Sequence, residues 1–251
     1  PGDNAASEFC EWQPFMAYKD GRAVGRIVAA INHKANATWG EKCARFGWIE
    51  FEDDIEISKA LLETAEQWGR ERGMTHIEGP LGFTDMDPEG MLIDGFDQLS
   101  TMATIYNFPY YPEHMVQLGW EKATDWVERK VTVPSGADDP HAAKYMRVAK
   151  ISAERYGFHV RKFKSVKEIK DGGYQYQFFD VINRAYAKLF GYSQMTRRQM
   201  DAYADQYLGY MDLRLVTFVM NQEEKIIAAG ACMPSLSRAL QRCDGKILPR
   251  G

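Results

Sequence analysis

Apolar and polar positions alternate in short blocks along the first fifty residues. Phe15–Tyr18 and Val24–Ile31 are apolar runs separated by Lys19-Asp20-Gly21-Arg22. Asp-Gly between two such runs predicts a β-hairpin, because glycine supplies the positive φ that a tight turn requires. Ala44–Phe51 (ARFGWIEF) reads as a third strand. The period then lengthens to that of a helix: Ile57, Ala60, Leu61, Thr64, Ala65 and Trp68 fall on one helical face. Asp53 with Glu56 three residues on predicts a capping box at its start, and Gly73 a C-terminal cap. His76-Ile77-Glu78 reads as a short strand closed by Gly79-Pro80.

Gly/Asp-rich sequence runs to about Thr101. An aromatic stretch, IYNFPYYPEH (105–114), then leads into a short helix ending at Leu118-Gly119-Trp120. Strand-like sequence follows at Trp126–Val133. PSGADDP (134–140) reads as a linker, with Asp139 as N-cap and Pro140 at the first position of a helix that stops at Gly157. Beyond it the pattern predicts a strand at Val160–Phe163 and helices at Gln177–Phe190 and about Arg197–Leu208. Thr196 and Gln199 make a second capping-box pattern. Leu213–Met220 and Lys225–Met233 flank Asn221–Glu224 as another hairpin. FMAYKDGRAVGRIVAAIN (15–32) and LVTFVMNQEEKIIAAGACM (215–233) therefore share one plan, which suggests a duplicated domain. The expected division is 1–133, a linker and connecting helix at 134–158, and 159–251.

Composition narrows the class. The chain has 251 residues, 45% of them hydrophobic and 26% charged, so a packed core is expected rather than disorder. A net charge of −4, from 31 basic and 35 acidic residues, gives no electrostatic footprint for nucleic acid. No apolar run approaches the roughly 18–20 residues of a membrane span. Cys10, Cys43, Cys232 and Cys243 match neither CxxC nor a zinc ribbon and predict free thiols in a reducing, cytoplasmic compartment. PGDNAA at the start is no signal peptide, and a chain that stops at ILPRG without a terminal element is expected to be a fragment of its gene product.

The order strand–turn–strand–strand–helix–strand–helix–strand–strand resembles the GNAT acyltransferase superfamily. KDGRAVGRIVAAIN resembles that family's second and third strands, and GWIEFEDD with the following helix its fourth strand and third helix. MVQLGWEKATDWVERKV (115–131) resembles its closing segment. Residues 46–133, above all HIEGPLGFTDMDPEGMLIDGFD (76–97), resemble a bacterial branch with two such domains per chain. The resemblance implies an α/β (α+β) fold: a mixed, mainly antiparallel sheet flanked by helices, duplicated, with a second copy that stops after its third strand. It also implies acetyl-CoA or another acyl-CoA as donor, with Ile49, Phe51 and Ser58 at positions that would contact it.

The residues themselves qualify this. The family's pyrophosphate loop is glycine-rich, so that backbone N–H groups at a helix start can hold phosphate. The matching stretch here, EDDIEISKA (52–60), has no glycine and carries four acids, which repel a pyrophosphate. The coenzyme site is then expected in the part of the second copy that this chain lacks. Glu50 and Glu52 alternate along a strand; a carboxylate there suits a general base, and equally a solvated cluster with Asp53 and Asp54. Asp85-Met86-Asp87-Pro88-Glu89-Gly90 resembles the opening of an EF-hand loop, but position twelve is Phe96 rather than Glu, so calcium is not expected. Asp85 and Asp87 instead suit a cleft for a cationic amine, or turn caps.

Tyr106, Phe108, Tyr110 and Tyr111 interleave with Asn107 and Pro109. In the superfamily a Tyr four residues before the Leu-Gly-aromatic glycine can protonate the leaving thiolate; that position is Met115. Tyr110 or Tyr111 are the candidates to replace it, Tyr106 a substrate contact, and core packing the plain alternative. The five histidines show no metal-ligand spacing, and no metal is expected. GxSxG, GxGxxG and GxxxxGK[ST] are absent.

These features predict an acyl-CoA-dependent N-acyltransferase, acetyl being the expected group. The acceptor would be an amine of a small molecule or peptide, with neither nucleic acid nor membrane as a partner. The alternative is a non-catalytic binding module of the same fold with a degenerate coenzyme site. Aminoacyl transfer ranks last, since it needs a surface for tRNA that this charge does not offer.

Overall fold

The computed structural model describes residues 4–101, 103–136, 139–209 and 211–244. They form a mixed α/β structure with two sheets, mainly antiparallel and flanked by helices, in two compact units. The first unit contains residues up to 126 together with 188–193 and the residues from 235; the second contains 127–187 and 194–234. The division falls earlier than the boundary expected after Val133, and residues 140–156 group with the second unit.

In the first unit, β1 (Cys10–Lys19) and β2 (Arg22–Asn32) form the predicted hairpin. Asp20 and Gly21 at its tip both have positive φ, 52° and 75°. Asn32 ends β2 and caps α1 (His33–Trp39), a helix the sequence pattern did not suggest. β3 (Cys43–Phe51) lies antiparallel to β2, and β4 (His76–Glu78) pairs parallel to its first three residues, giving the order β1-β2-β3-β4. Between them runs α2 (Ile55–Glu71), whose N-cap is Asp54 rather than Asp53. Its apolar face, Ile57, Leu61, Leu62, Ala65 and Trp68, packs on Ile27, Ala29, Ile31, Ala44, Phe46, Ile49 and Phe51.

That list of β3 residues breaks the period of two. Ala44 and Phe46 face α2, but the next core positions are Ile49 and Phe51. The cause is a bulge at Trp48, which has a φ of 47°, uncommon for a residue with a side chain. The ladder registers Val28 with Gly47 but Arg26 with Glu50, so one residue of β2 faces two of β3. The Trp48 ring packs instead on Phe83, 5.1 Å away. β4 diverges from β3 at the same point. Leu81 N–H still donates to Phe46 C=O at 2.7 Å, and beyond it the β4 side of β3 is covered by α3 (Tyr110–Gln117).

The second unit has its own core. β5 (His159–Arg161), β6 (Val216–Met220) and β7 (Ile226–Ala231) form an antiparallel sheet in that order, with β6–β7 the predicted hairpin. Phe163, Ile169, Val216, Phe218, Met220 and Ile226 are buried there. The helices are α4 (Pro140–Tyr156), α5 (Val166–Asp171), α6 (Tyr174–Tyr186) and α7 (Arg197–Leu208); α8 (Ser237–Cys243) belongs to the first unit. Asp139 and Pro140 start α4, and the Thr196/Gln199 capping box forms as predicted. The strand expected at 126–133 does not form. Val127, Val131 and Val133 are exposed, and no described strand pairs with the segment, so its alternating pattern has no sheet to join.

Gly47 sits where β3 and the chain after β4 approach most closely: a Cβ there would collide with the Leu81 carbonyl. Gly47→Ala is expected to destabilise the protein by about 2–4 kcal/mol, because backbone rather than a flexible side chain must move. Urea unfolding should show a lower midpoint at unchanged slope.

Candidate functional site

The end of β3, the start of α2 and the first turn of α3 converge. Phe51 pairs with Gly25 on one side, while on the other its N–H and C=O point away from the sheet. Tyr111 Oη accepts from Phe51 N at 3.2 Å and donates to Glu50 Oε2 at 2.9 Å. Tyr110 Oη donates to Phe51 C=O at 2.7 Å. The Tyr111 ring stacks on Phe51 with centroids 4.1 Å apart. Burial pushes the Tyr111 phenol above its ordinary value, with the Glu50 carboxylate adding to it; burial and then Asp53 do the same for Tyr110. Both hydroxyls are thus protonated and committed to named acceptors.

One turn further along α3, His114 is buried between two partners. Its Nδ1 lies 2.9 Å from Ser58 Oγ and its Nε2 3.2 Å from Asp53 Oδ1. Ser58 Oγ is also 3.0 Å from Ile55 C=O. A neutral imidazole with Nε2–H toward Asp53 accepts the Ser58 proton at Nδ1. With Nδ1–H instead toward Ser58, the hydroxyl accepts from the ring and donates its own hydrogen bond to the Ile55 carbonyl. The order Ser–His–Asp invites comparison with a nucleophilic triad, but Ser58 is fully buried. Its hydroxyl orients the imidazole and has no path to a substrate.

The carboxylates are the accessible groups. The Glu50 side chain is 61% exposed and reaches Arg26 at 4.0 Å; that of Asp53 is 67% exposed. Glu52 forms a two-pronged pair with Arg22, whose hydrogen bond holds its carboxyl below the usual range. Asp54 pairs with Lys19 at 2.7 Å and caps α2 through Glu56 N, and both bonds lower its carboxyl. Glu52, Asp53 and Asp54, but not Glu50, line an open pocket of about 440 Å³ together with Lys19, Asp20, Arg22 and Ile57.

Of the residues singled out from the sequence, Glu50, Phe51, Tyr110, Tyr111 and Ser58 meet here, with Glu52 on the rim. Ile49 lies beneath, in the core. Phe51 has both backbone groups occupied and Ser58 is closed in, so neither is exposed as a ligand contact. Tyr106 is exposed and reaches the cluster only through Phe108, which stacks on Tyr110. His114 was not anticipated; its signal was the i, i+3 and i, i+4 spacing from Tyr111 and Tyr110, which puts all three on one helix face.

Asp85 and Asp87 lie elsewhere, around Arg45. Arg45 alternates with Ala44 and Phe46 and so points to the sheet face away from α2. It is buried, and donates to Phe83 C=O at 3.3 Å and Gly191 C=O at 3.0 Å. Asp87 accepts from Asn4 Nδ2 and Thr84 N. Burial pushes the Asp85 carboxyl up to about 6 and that of Glu89 to about 7, and raises Asp87 too, with Arg45 opposing each shift. Groups raised in this way favour the folded state when protonated. Their stabilisation is complete below about pH 4 and is lost as pH rises through 6 to 7. Glu89→Gln and Asp85→Asn should each flatten this dependence and gain on the order of 1–2 kcal/mol at pH 8, read from urea midpoints between pH 4 and 8.

No helix among the described residues is long and apolar enough to cross a membrane. No family model matches the chain. It is 25% identical over 255 residues to Protein YghO of Escherichia coli strain K12, covering 99% of this chain and 61% of that protein. It is 27% identical over 261 residues to the bacterial ceramide synthase of Caulobacter vibrioides, covering 100% of this chain and 63% of that protein. The chain thus spans about three-fifths of the length of the curated relatives it matches, and its similarity to each runs through both units.

Proposed function

We propose that this chain works in an N-acyltransferase that uses an acyl-CoA donor and an amine acceptor. The observation that carries the reading is Glu50: a solvent-reaching carboxylate fixed by the Tyr111 hydroxyl at the open end of a splayed strand. A relative named for ceramide synthesis supports it, because a ceramide is an amide of a fatty acid with a long-chain amino alcohol. In the reaction the amine nitrogen attacks the thioester carbon, the C–N bond forms and the C–S bond breaks. Glu50 accepts the proton that the nitrogen loses. The Tyr110 and Tyr111 protons are committed to Phe51 and Glu50, so the thiolate takes its proton from solvent. The pocket lining carries four acids against the cations Lys19 and Arg22, a balance that favours a cationic amine there and keeps the phosphates of the donor outside this pocket.

The natural full-length protein should release free thiol from an acyl-CoA in the presence of an amine, with the amide identified by mass spectrometry. Acetyl-CoA and long-chain acyl-CoA, each with a long-chain amino alcohol, a polyamine or a peptide amine, form the test set. Glu50→Gln should lower kcat by about 100-fold or more with little change in KM. Full activity in that variant would remove Glu50 from the reaction, and silence with every pair would remove the function.

A second reading, a binding module without catalysis in this unit, rests on α2. Asp54 already takes the Glu56 N–H and brings negative charge to the helix start, which leaves no anion-binding end there. Binding of coenzyme A that persists unchanged when residues 52–60 are altered would favour this reading for the first unit.

A further inference from the structure

On the sheet face away from α2, β3 and β4 bring three metal-binding side chains together. Parallel pairing sets Cys43 beside His76 and Arg45 beside Glu78. Alternation puts His76 and Glu78 on one face of β4, while Ile77 between them packs into the core with Ala44. One potential ligand atom from each of Cys43, His76 and Glu78 lies within 4.8 Å of the other two. Around a tetrahedral zinc ion with ordinary bond lengths such atoms are roughly 3.4–3.6 Å apart, so closure requires movements of about 1 Å.

The surroundings hold these side chains in place. Asn36 clamps the Cys43 backbone, its Nδ2 donating to Cys43 C=O at 3.0 Å and its Oδ1 accepting from Cys43 N at 3.4 Å. Thr75 N donates to Lys42 C=O at 2.8 Å and ties the start of β4 to β3. Thr75 Oγ1 is 3.3 Å from His76 Nδ1, which occupies that nitrogen and leaves Nε2 for an ion. Glu41 stands 3.8 Å from Nε2, close to where a fourth ligand would sit.

We propose that Cys43, His76 and Glu78 bind one Zn²⁺ ion that fixes β4 to β3, with Glu41 or water in the fourth position. A thiolate, an imidazole and a carboxylate suit zinc and exclude the oxygen-seeking calcium and magnesium. Thiolate and carboxylate together neutralise the divalent charge. β4 has only three residues and leads directly into the loop that carries Asp85, Asp87 and Glu89, so the ion sets where that loop begins. The inference is independent of the proposed reaction. The sequence concealed it because the ligands lie on either side of α2 and only the strand register joins them.

The test uses the full-length protein, stripped with a chelator and titrated with Zn²⁺ and, as a spectroscopic probe, Co²⁺. Zinc should bind with one-to-one stoichiometry at the site and raise the melting temperature by several degrees. Cobalt should give a thiolate-to-metal charge-transfer band in the near ultraviolet. Cys43→Ser should abolish the band and Cys10→Ser should leave it intact. His76→Ala, a change at an exposed position that leaves the core untouched, should weaken binding by at least tenfold while far-ultraviolet circular dichroism stays unchanged. A band that survives Cys43→Ser, zinc affinity unaltered in His76→Ala, or no binding to the stripped protein would each overturn the proposal.

Discussion

The arrangement at the end of β3 depends on one extra residue. Without the bulge at Trp48, strict alternation from Ala44 and Phe46 would carry Trp48 and Glu50 into the core against α2 and turn Ile49 and Phe51 outward. A carboxylate would then be buried against Leu61 and Ile57 with no partner, which is among the costliest substitutions a core can suffer. The inserted residue, held at a φ of 47°, exchanges the two faces. It sends Phe51 into the core and releases Glu50 to Tyr111 and Arg26. A local strain of about 1 kcal/mol is small beside the burial it makes possible. The divergence of β4 from β3 at the same place gives α3 room to bring its tyrosines to the strand.

Two sets of acids in the same unit meet opposite electrostatic conditions. Glu52 and Asp54 are solvent-facing, each beside a cation, and are held ionised. Asp85, Asp87 and Glu89 are crowded in partial burial around a single guanidinium that spends its own hydrogen bonds on backbone carbonyls. The first set is balanced pair by pair, so the formal negative excess of the open pocket comes from Asp20 and Asp53. In the second, burial favours the protonated form of all three, with Asp85 raised to about 6 and Glu89 to about 7. Composition alone, with its slight acidic excess, cannot distinguish them.

Most of the architecture was legible because it depends on local rules. Asp20-Gly21 specifies its turn, Asp139-Pro140 and Thr196/Gln199 specify helix starts, and the face from Ile57 to Trp68 specifies a buried helix. Val127–Val133 shows the limit: its pattern satisfies the rule for a strand, yet a strand exists only through its neighbours. The site was legible in part for the same reason. Glu50, Tyr110 and Tyr111 were visible as chemistry-bearing residues, but their convergence with His114 needs α3 to cross the edge of β3, a contact between positions about sixty residues apart. Glu50 and Glu52 alternate as the strand pattern implies, but the pattern did not show their partners. β3 ends at Phe51, and each acid finds a different cation. Arg45 was hidden in an aromatic strand, where a charge is normally assumed to face water.

The hydroxyls of Tyr110 and Tyr111 have a consequence beyond the site. A β-strand whose N–H and C=O groups are unpaired along one side is a template on which another chain can add itself. Past the point where β4 departs, β3 would present such a side, bordered by aromatic residues of high strand propensity. The two phenols occupy the outward N–H and C=O of Phe51 and so close that side with side chains instead of backbone. Tyr111 therefore both orients the Glu50 carboxylate and, together with Tyr110, protects the strand against unwanted addition. Change at Tyr111 is constrained twice over, by the carboxylate it holds and by what the sheet must avoid, whereas Tyr110 answers to the sheet alone.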